Sequence, residues 1–200
     1  MALWCSIRTF AEHAQELGNE QPPEPVFFVK PNNCIQRSGQ IQVSSHPGSV
    51  HHEIECVIKL GNDLSPEAIA VGLDLTDRVT QSELRAEQLP WSKSKCFRGS
   101  GVIGGFHAFN GQFDDLCNGD YSLKLTVNGE SRQVANLSAM SITPQQQVDS
   151  LLNWAPIAAG DYLFTGTPSG VAELQVGDKV SAVLIGKDGS VISQITAVCV

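Results

Sequence analysis

The run from Val50 to Leu60 constrains the fold most, because it has the alternation and composition of a β-strand and ends at the turn sequence Gly61-Asn62-Asp63. Side chains two residues apart project from the same face of a strand. Glu53 and Glu55 therefore point together, and Ile54 points the other way. A fold built around this strand must bury one apolar face and accommodate two acidic groups on the other.

The remaining pattern is rich in strands. Strands at 121–127 and 131–135 flank Asn128-Gly129, a strong signal for a two-residue hairpin turn. Further strands are expected at 26–30, as a buried strand, and at 71–75, 180–185 and 191–197. Helices are expected at 9–17, from the N-cap Ser65, at 80–89 and at 144–154. The 200 residues fit one domain, so we predict a single α+β, mainly β, domain over residues 1–200.

Composition restricts the partners and the compartment. The formal net charge of −8, from 13 Lys and Arg against 21 Asp and Glu, argues against a nucleic-acid partner. No stretch approaches the ~18 apolar residues of a membrane span, and the first residues lack the features of a signal peptide. The six cysteines are scattered without a C-x-x-C pair, which is typical of reduced thiols. We expect a cytoplasmic protein without a membrane or nucleic-acid partner.

Three carboxylates are candidate metal ligands. Glu53 and Glu55 would repel each other on one strand face, and a hard dication such as Mg²⁺, Mn²⁺ or Ca²⁺ would relieve that repulsion. Asp74 lies in an apolar setting and could supply a third oxygen. The alternative is that the two glutamates form the wet face of an antiparallel strand. Iron binding by His51 and His52 is less favoured, because adjacent strand residues face opposite ways.

His13 and Glu16 are three residues apart and share one face of the predicted N-terminal helix. A carboxylate beside an imidazole can orient a general base. Residues 10–20 could form a lid, since a Pro-rich stretch follows them. The alternative is an incidental pair on a solvated helix.

Two later segments could bind a substrate. Lys95 has apolar neighbours, whereas Lys93 has polar ones, so Lys95 could stabilise an enolate or a carboxylate unless it is an ordinary surface charge. The turn Thr165-Gly166-Thr167-Pro168-Ser169-Gly170 offers hydroxyls and flexible N–H groups suited to a carboxylate, although any tight turn can have this composition.

Seven short strings along the chain carry a resemblance to one known family, through their order as much as through their residues. They are AEHAQELGN, EPVFFVKP, HHEIECVIKLG, GLDLTDR, LPWSKSKCF, LTVNGE and GDYLFTGTPSGV. From Phe10 to about Val198 the chain resembles the short single-domain branch of the fumarylacetoacetate hydrolase family, which includes acylpyruvate hydrolases and oxaloacetate decarboxylases. The resemblance implies a mixed β-sheet roll with a few short helices and a homodimer.

The resemblance also implies roles for single residues. It implies that Glu53, Glu55 and Asp74 bind Mg²⁺ or Mn²⁺. It implies that His13 and Glu16, on the lid helix, position and deprotonate water.

A second group would contact the substrate. The resemblance implies that Lys95 is the active-site lysine and that Arg78 and Gln81 line the pocket. The substrate carboxylate would contact Thr167 or, as the preferred candidate, Thr165.

The expected function is cleavage of a carbon–carbon bond in a small 2-oxo acid, by acylpyruvate hydrolysis or oxaloacetate decarboxylation through a stabilised enolate. Alternatives are an isomerase or tautomerase of a 2-hydroxy-dienoate or oxaloacetate, and a catalytically silent metal-binding relative. The chain departs from the family at Arg8-Thr9-Phe10, where Arg-Asn-Tyr is usual, and at 75–79, where Leu-Thr-Ala-Arg-Asp is usual. Both departures concern the substrate range rather than the metal site.

Overall fold

The computed structural model describes residues 1–12, 18, 22–37 and 39–200. The strands in this part of the chain are β1 (Ala2–Ile7), β2 (Val26–Pro31), β3 (Ile35–Arg37), β4 (Gly39–Ile41), β5 (Val50–His52), β6 (Ile54–Leu60), β7 (Pro66–Asp74), β8 (Thr76–Asp77), β9 (Gly101–Ile103), β10 (His107–Ala108), β11 (Ser122–Val127), β12 (Glu130–Asn136), β13 (Tyr162–Phe164), β14 (Ala172–Glu173), β15 (Lys179–Ile185) and β16 (Val191–Cys199). The α-helices are α1 (Arg78–Ala86), α2 (Ser92–Lys95) and α3 (Pro144–Leu152), with 3-10 turns at Asn32–Cys34, Phe113–Cys117 and Leu137–Ala139.

The strands form three sheets, and the prediction of a mainly β, α+β fold is confirmed. The largest has the order β2-β1-β13-β6-β7-β9-β3, with β10 also paired to β7. It is mixed, because β1 pairs with β13 and β3 with β9 in parallel. The second has the order β12-β11-β15-β16-β4, and the third is β14-β5-β8. The main core lies where β6 and β7 pack against β11, β15 and β16.

The predicted strand from Val50 to Leu60 is divided between two sheets. Strand β5 pairs with β8 and β14 in the small sheet, whereas β6 pairs with β7 and β13 in the large one. Glu53 stands at the break, and its carbonyl accepts the N–H of Asp74 at 2.9 Å. The break places the side chain of Glu53 where the two sheets meet.

The helix predicted from Ser65 is wrong, because β7 begins at Pro66. The carboxylate of Asp63 accepts both the N–H and the hydroxyl of Ser65, at 3.1 and 2.6 Å, which makes a local turn rather than a helix cap. The following residues, 68–74, are all buried, so pairing with β6 on one side and β9 on the other overrides the local helix signal.

Strand 26–30 exists, but it is not buried. It is the edge strand β2, where Val26 and Val29 are 39% and 41% exposed while Lys30 is 0% exposed. Strands β1 and β13 were not expected from the pattern. They lie next to each other in the sheet, and each is buried along most of its length.

Several other elements lie where the sequence predicts them. Asn128 and Gly129 have φ angles of 54° and 83°, as a two-residue hairpin turn between β11 and β12 requires. Helices α1 and α3 lie where they were predicted. Of the predicted helix 9–17, Ala11 and Glu12 are helical, and residues 13–17 lie outside the described residues. Among the described helices, none has the length and apolar character needed to cross a membrane.

Candidate active site

Three carboxylates converge where β6 and β7 run side by side. Glu55 pairs with Gly72 in the strand register, so Glu53, Glu55 and Asp74 project from the same face of the hairpin. One oxygen from each carboxylate lies within 4.8 Å of the others. The residues are 6%, 1% and 1% exposed, in that order, so the wet-face interpretation is wrong.

Basic side chains surround two of these carboxylates. The ammonium of Lys95 lies 2.9 Å from Glu53 Oε2 and 2.7 Å from Asp74 Oδ2. The ammonium of Lys30 lies 2.6 Å from Asp74 Oδ1, and Arg78 pairs with Glu53 Oε1. Lys95 is 3% exposed, so it is not a surface charge.

Glu55 differs from its two neighbours in its partner, which is the N–H of Gly166 at 2.8 Å. Burial raises the pKa of Glu55, and the nearby carboxylate of Asp74 raises it further. Burial lowers the pKa of Lys95, but the carboxylates of Asp74 and Glu53 outweigh it, so the pKa of Lys95 rises and the ammonium stays charged. The site therefore holds a fixed ammonium beside one acid that resists ionisation.

This donor set fits a divalent cation. Its members offer oxygen only, the preference of Mg²⁺ and Mn²⁺, and one oxygen from each already lies within 4.8 Å of the others. Glu55 is balanced by a backbone N–H rather than by a side-chain cation, and a dication would relieve its unfavourable charge.

A cavity of about 50 Å³ opens above Glu53 and Glu55. Its lining is strongly basic for an acidic protein, with Arg8, Arg78, Arg85 and Lys95. The others that line it are Ser6, Ile7, Gln81, Trp91 and Thr167. A small anion is the ligand that this lining favours.

An apolar cavity of about 360 Å³ adjoins the first one. The two share Ile7, Trp91 and Lys95, and the second is lined mainly by β2 and by Pro90. The charged cavity therefore continues into space that suits an apolar group.

The turn after β13 separates the two candidate threonines. The hydroxyl of Thr165 donates to the carbonyl of Cys56 at 2.9 Å and is committed to holding β6. Thr167 lines the charged cavity. Gly166 between them has φ of 95°, and a β-carbon there would overlap Thr9 Oγ1, so glycine is required. The structure places Thr167, rather than the preferred Thr165, where it can reach a ligand.

The remaining predicted residues divide into two groups. The guanidinium of Arg78 donates to Gln81 Oε1 at 2.7 Å, and both residues line the cavity. His13 and Glu16 lie outside the described residues, so their pairing stays a prediction. His52 Nδ1 contacts Gln133 Oε1 at 2.9 Å, and burial lowers the pKa of the imidazole.

Sequence reasoning missed Lys30 and Gln133. Lys30 ends an apolar strand, and a lysine within such a run is a signal of a buried charge that was available and unused. Its ammonium also donates to the carbonyls of Leu75 and Ser100, at 3.1 and 2.7 Å. Gln133 carries no comparable signal, since it lies in a polar hairpin far along the chain.

Comparison with known proteins finds relatives that match nearly the whole chain. The family model described as fumarylacetoacetate (FAA) hydrolase C-terminal matches residues 2–196. The mitochondrial oxaloacetate decarboxylase of Dictyostelium discoideum is 33% identical over 193 residues, covering 90% of this chain and 87% of that protein. The oxaloacetate tautomerase YcgM of Escherichia coli (strain K12) is 34% identical over 196 residues, covering 91% and 87%.

A solved structure gives the same result for the fold. The fumarylpyruvate hydrolase from Pseudomonas aeruginosa in complex with Mn²⁺ and pyruvate has a TM-score of 0.86 and 26% identity, and the match covers 100% of this chain and 89% of that one. The family model, the two relatives and this structure agree over nearly the whole chain. This chain belongs to the fumarylacetoacetate hydrolase family.

Proposed function

We propose that this protein is a divalent-metal-dependent enzyme that cleaves a carbon–carbon bond of a small 2-oxo acid, either an acylpyruvate or oxaloacetate. The observation that carries the proposal is the cluster of Glu53, Glu55 and Asp74, joined by the ammonium of Lys95 below a cavity with a basic lining. Such a reaction requires a site that accepts an anionic substrate and provides a charged ammonium and buried oxygen ligands.

Glu53, Glu55 and Asp74 would hold Mg²⁺ or Mn²⁺. The presence of Mn²⁺ and pyruvate in the Pseudomonas aeruginosa relative supports this assignment. When bound, the cation supplies a Lewis acid and a template for substrate oxygens.

The chain's own residues do the remaining work. Arg78 and Thr167 line the cavity where the carboxylate of a 2-oxo acid would bind. When the bond beta to the ketone breaks, its electron pair moves onto the ketone oxygen. Lys95 remains protonated beside that position and stabilises the developing negative charge.

Hydrolysis and decarboxylation differ in their need for water. Acylpyruvate hydrolysis needs an activated water, which we assign to His13 and Glu16, whereas loss of CO₂ from oxaloacetate does not. We therefore expect His13→Ala to lose most acetylpyruvate hydrolysis and to keep substantial oxaloacetate decarboxylation. Equal loss of both activities would contradict this role.

Tautomerisation of oxaloacetate is the second candidate, favoured by the 34% identity to the Escherichia coli tautomerase. It needs the same charge stabilisation and only a proton transfer. Isomerisation of a 2-hydroxy-dienoate belongs to the same class, and a catalytically silent metal-binding protein is the least favoured alternative.

One experiment separates these activities. The protein would be incubated with Mg²⁺ or Mn²⁺ and with acetylpyruvate or oxaloacetate, and the products identified by NMR. We expect pyruvate as a product, and no turnover above the uncatalysed rate in excess chelator. Full activity in chelator would overturn the metal dependence, and keto–enol exchange without bond cleavage would establish the tautomerase instead.

A matched pair of lysines tests the charge stabilisation. Lys95 and Lys93 share helix α2, but Lys95 is buried and Lys93 is exposed. We expect Lys95→Met to lower kcat by about 100- to 1,000-fold, the usual effect of losing one preorganised donor. Lys93→Met should retain the activity of the wild type. Comparable kcat values for the two variants would contradict the role of Lys95.

We also propose that residues 1–200 form one domain, that the protein is a homodimer and that it is cytoplasmic. Light scattering coupled to size-exclusion chromatography would test the dimer, with a mass near 21.5 kDa contradicting it. Fractionation of cells would test the location, since the Dictyostelium discoideum relative is mitochondrial.

A further inference from the structure

Gln133 connects the second sheet to the candidate active site. It lies on β12, is 1% exposed and bonds through both atoms of its amide. Its Nε2 donates to Thr167 Oγ1 at 2.9 Å and to the carbonyl of Pro168 at 2.8 Å. Its Oε1 accepts the N–H of Ile54 at 3.1 Å and contacts His52 Nδ1 at 2.9 Å.

Two backbone groups determine which way this amide points. The N–H of Ile54 can only donate, so the atom facing it must be the oxygen of Gln133. The carbonyl of Pro168 can only accept, so the atom facing it must be the nitrogen. The orientation of the amide therefore follows from neighbours that have no alternative protonation state.

The same assignment of donors and acceptors determines the tautomer of His52. Because Nδ1 faces an amide oxygen, Nδ1 must carry the proton. Among the described residues, Nε2 is buried without a hydrogen-bond partner, so the tautomer protonated there would bury an unsatisfied N–H and set two acceptors against each other. The N–H of His52 in turn prevents the amide from turning over.

The consequence for Thr167 is that one acceptor site of its hydroxyl is occupied while its proton is available. Oγ1 accepts one N–H of Gln133, and within the described part of the chain this is its single hydrogen bond. The proton of the hydroxyl is therefore free, and Thr167 lines the charged cavity. A hydroxyl that already accepts one N–H keeps its proton available to donate to an oxygen of a ligand.

We propose that Gln133, supported by His52, is a positioning residue that makes the Thr167 hydroxyl a hydrogen-bond donor to a carboxylate or ketone oxygen of the substrate. The nature of the ligand rests on the proposed function, whereas the arrangement of protons does not. The glycine at 170 allows the approach, because a β-carbon there would overlap the carbonyl of Arg132, next to Gln133.

Kinetics test the proposal through a double-mutant cycle. Thr167→Val removes the hydroxyl, and Gln133→Met removes the amide at similar side-chain length. We expect each to raise KM for the 2-oxo acid by about 10- to 100-fold, the range for a hydrogen bond to a charged group, with a smaller change in kcat. The double variant should be no worse than Thr167→Val alone, because Gln133 acts through Thr167. If the KM increases of the two single variants multiplied in the double variant, the proposal would be overturned.

Controls separate positioning from folding. Gln194→Met makes the same change at an exposed strand position and should leave KM unchanged. We expect the Mn²⁺ affinity of Gln133→Met to match that of the wild type, because the substitution should leave Glu53 in place. A displaced Glu53 would lower the Mn²⁺ affinity. If Gln133→Met does not fold, Gln133→Glu keeps the acceptor for Ile54 and His52, and ionised it no longer donates to Thr167, so it should raise KM. An unchanged KM in a folded Gln133 variant would overturn the proposal.

Two measurements do not depend on turnover. The ¹⁵N and ¹³C shifts of the His52 ring should report the tautomer protonated at Nδ1, and the other tautomer would overturn the inference even if the enzyme is active. Pyruvate should bind the Mn²⁺-loaded wild type more tightly than the Thr167→Val or Gln133→Met variant. If the protein turned over no oxo acid but this difference in pyruvate affinity remained, the proposed function would be wrong. The role of Gln133 and Thr167 in binding would still stand.

Discussion

Lys30 and Lys95 reach the same carboxylate from different elements. Because both are buried, each contributes more to the stability of the protein than a surface lysine does. Lys30 approaches Asp74 from edge strand β2, and Lys95 approaches it from helix α2. Burying three carboxylates is costly unless cations and hydrogen bonds compensate. Removing one partner of such a group therefore costs more than removing a surface pair.

The stability of two lysine variants should show this difference. Lys30 is 0% exposed and pairs with Asp74, whereas the side chain of Lys59 is 33% exposed and pairs with Glu67 at 2.7 Å. We expect Lys30→Met to lower the free energy of unfolding by about 3–5 kcal/mol in urea denaturation. The control Lys59→Met should lose no more than about 1 kcal/mol. Equal losses would mean that the ion pair of Lys30 is not buried in solution.

At the scale of elements, the hairpin of β6 and β7 positions the acids. Glu55 lies opposite Gly72, and Asp74 follows two residues later on the same face. Alternation predicted that Glu53 and Glu55 share a face, since that follows from strand geometry alone. The strand break at Glu53 was not predictable in this way, because it depends on β5 pairing with β8 and β14 rather than with β7.

Gly72 provides the test at this scale. A β-carbon at position 72 would overlap Val57 Cγ2 and lie 3.0 Å from Phe164 Cε1. We expect Gly72→Ala to lower the free energy of unfolding by about 1–3 kcal/mol through overpacking, measured by urea denaturation. A shifted β7 would also move Asp74 away from Glu55 and weaken Mn²⁺ binding.

A matched glycine makes this prediction sharp. A β-carbon at Gly105 meets no atom within 4 Å, so Gly105→Ala should change the stability by less than about 0.5 kcal/mol. The double variant Gly72→Ala, Val57→Ala should recover part of the stability that Gly72→Ala loses, because it removes the overlapping methyl groups. If Gly72→Ala were as stable as the wild type, the side chains of Val57 and Phe164 must make room for the added β-carbon without cost, and the prediction would be wrong.

For the whole molecule, the sequence predicted the fold class and most of the site for different reasons. Local rules were sufficient for the hairpin at Asn128-Gly129, and the order of the motifs implied the three acids. Long-range pairing decided what local rules missed: β7 replaced the helix expected from Ser65, and the buried end of β2 became part of the site. Gln133 was missed because its role depends on two sheets meeting.

The pH dependence of global stability follows from the burial of Glu55. Burial and the carboxylate of Asp74 raise the pKa of Glu55 in the folded protein above its ordinary value of 4.5. Between the unfolded and the folded pKa the native state binds more protons than the unfolded state. The stability of the metal-free protein should therefore fall as the pH rises from about 4.5 through the folded pKa, relative to a Glu55→Gln variant in which this ionisation is absent.

Urea denaturation of both proteins without metal, at a series of pH values, measures this difference, and other titrating groups cancel to first order in the comparison. Saturating Mn²⁺ should reverse the trend for the wild type, because cation binding requires the ionised carboxylate and so strengthens as the pH rises. The Glu55→Gln variant should gain little from Mn²⁺ at any pH. A pH-independent stability difference between the two metal-free proteins would mean that Glu55 keeps an ordinary pKa, and the dication would then have no unfavourable charge on Glu55 to relieve.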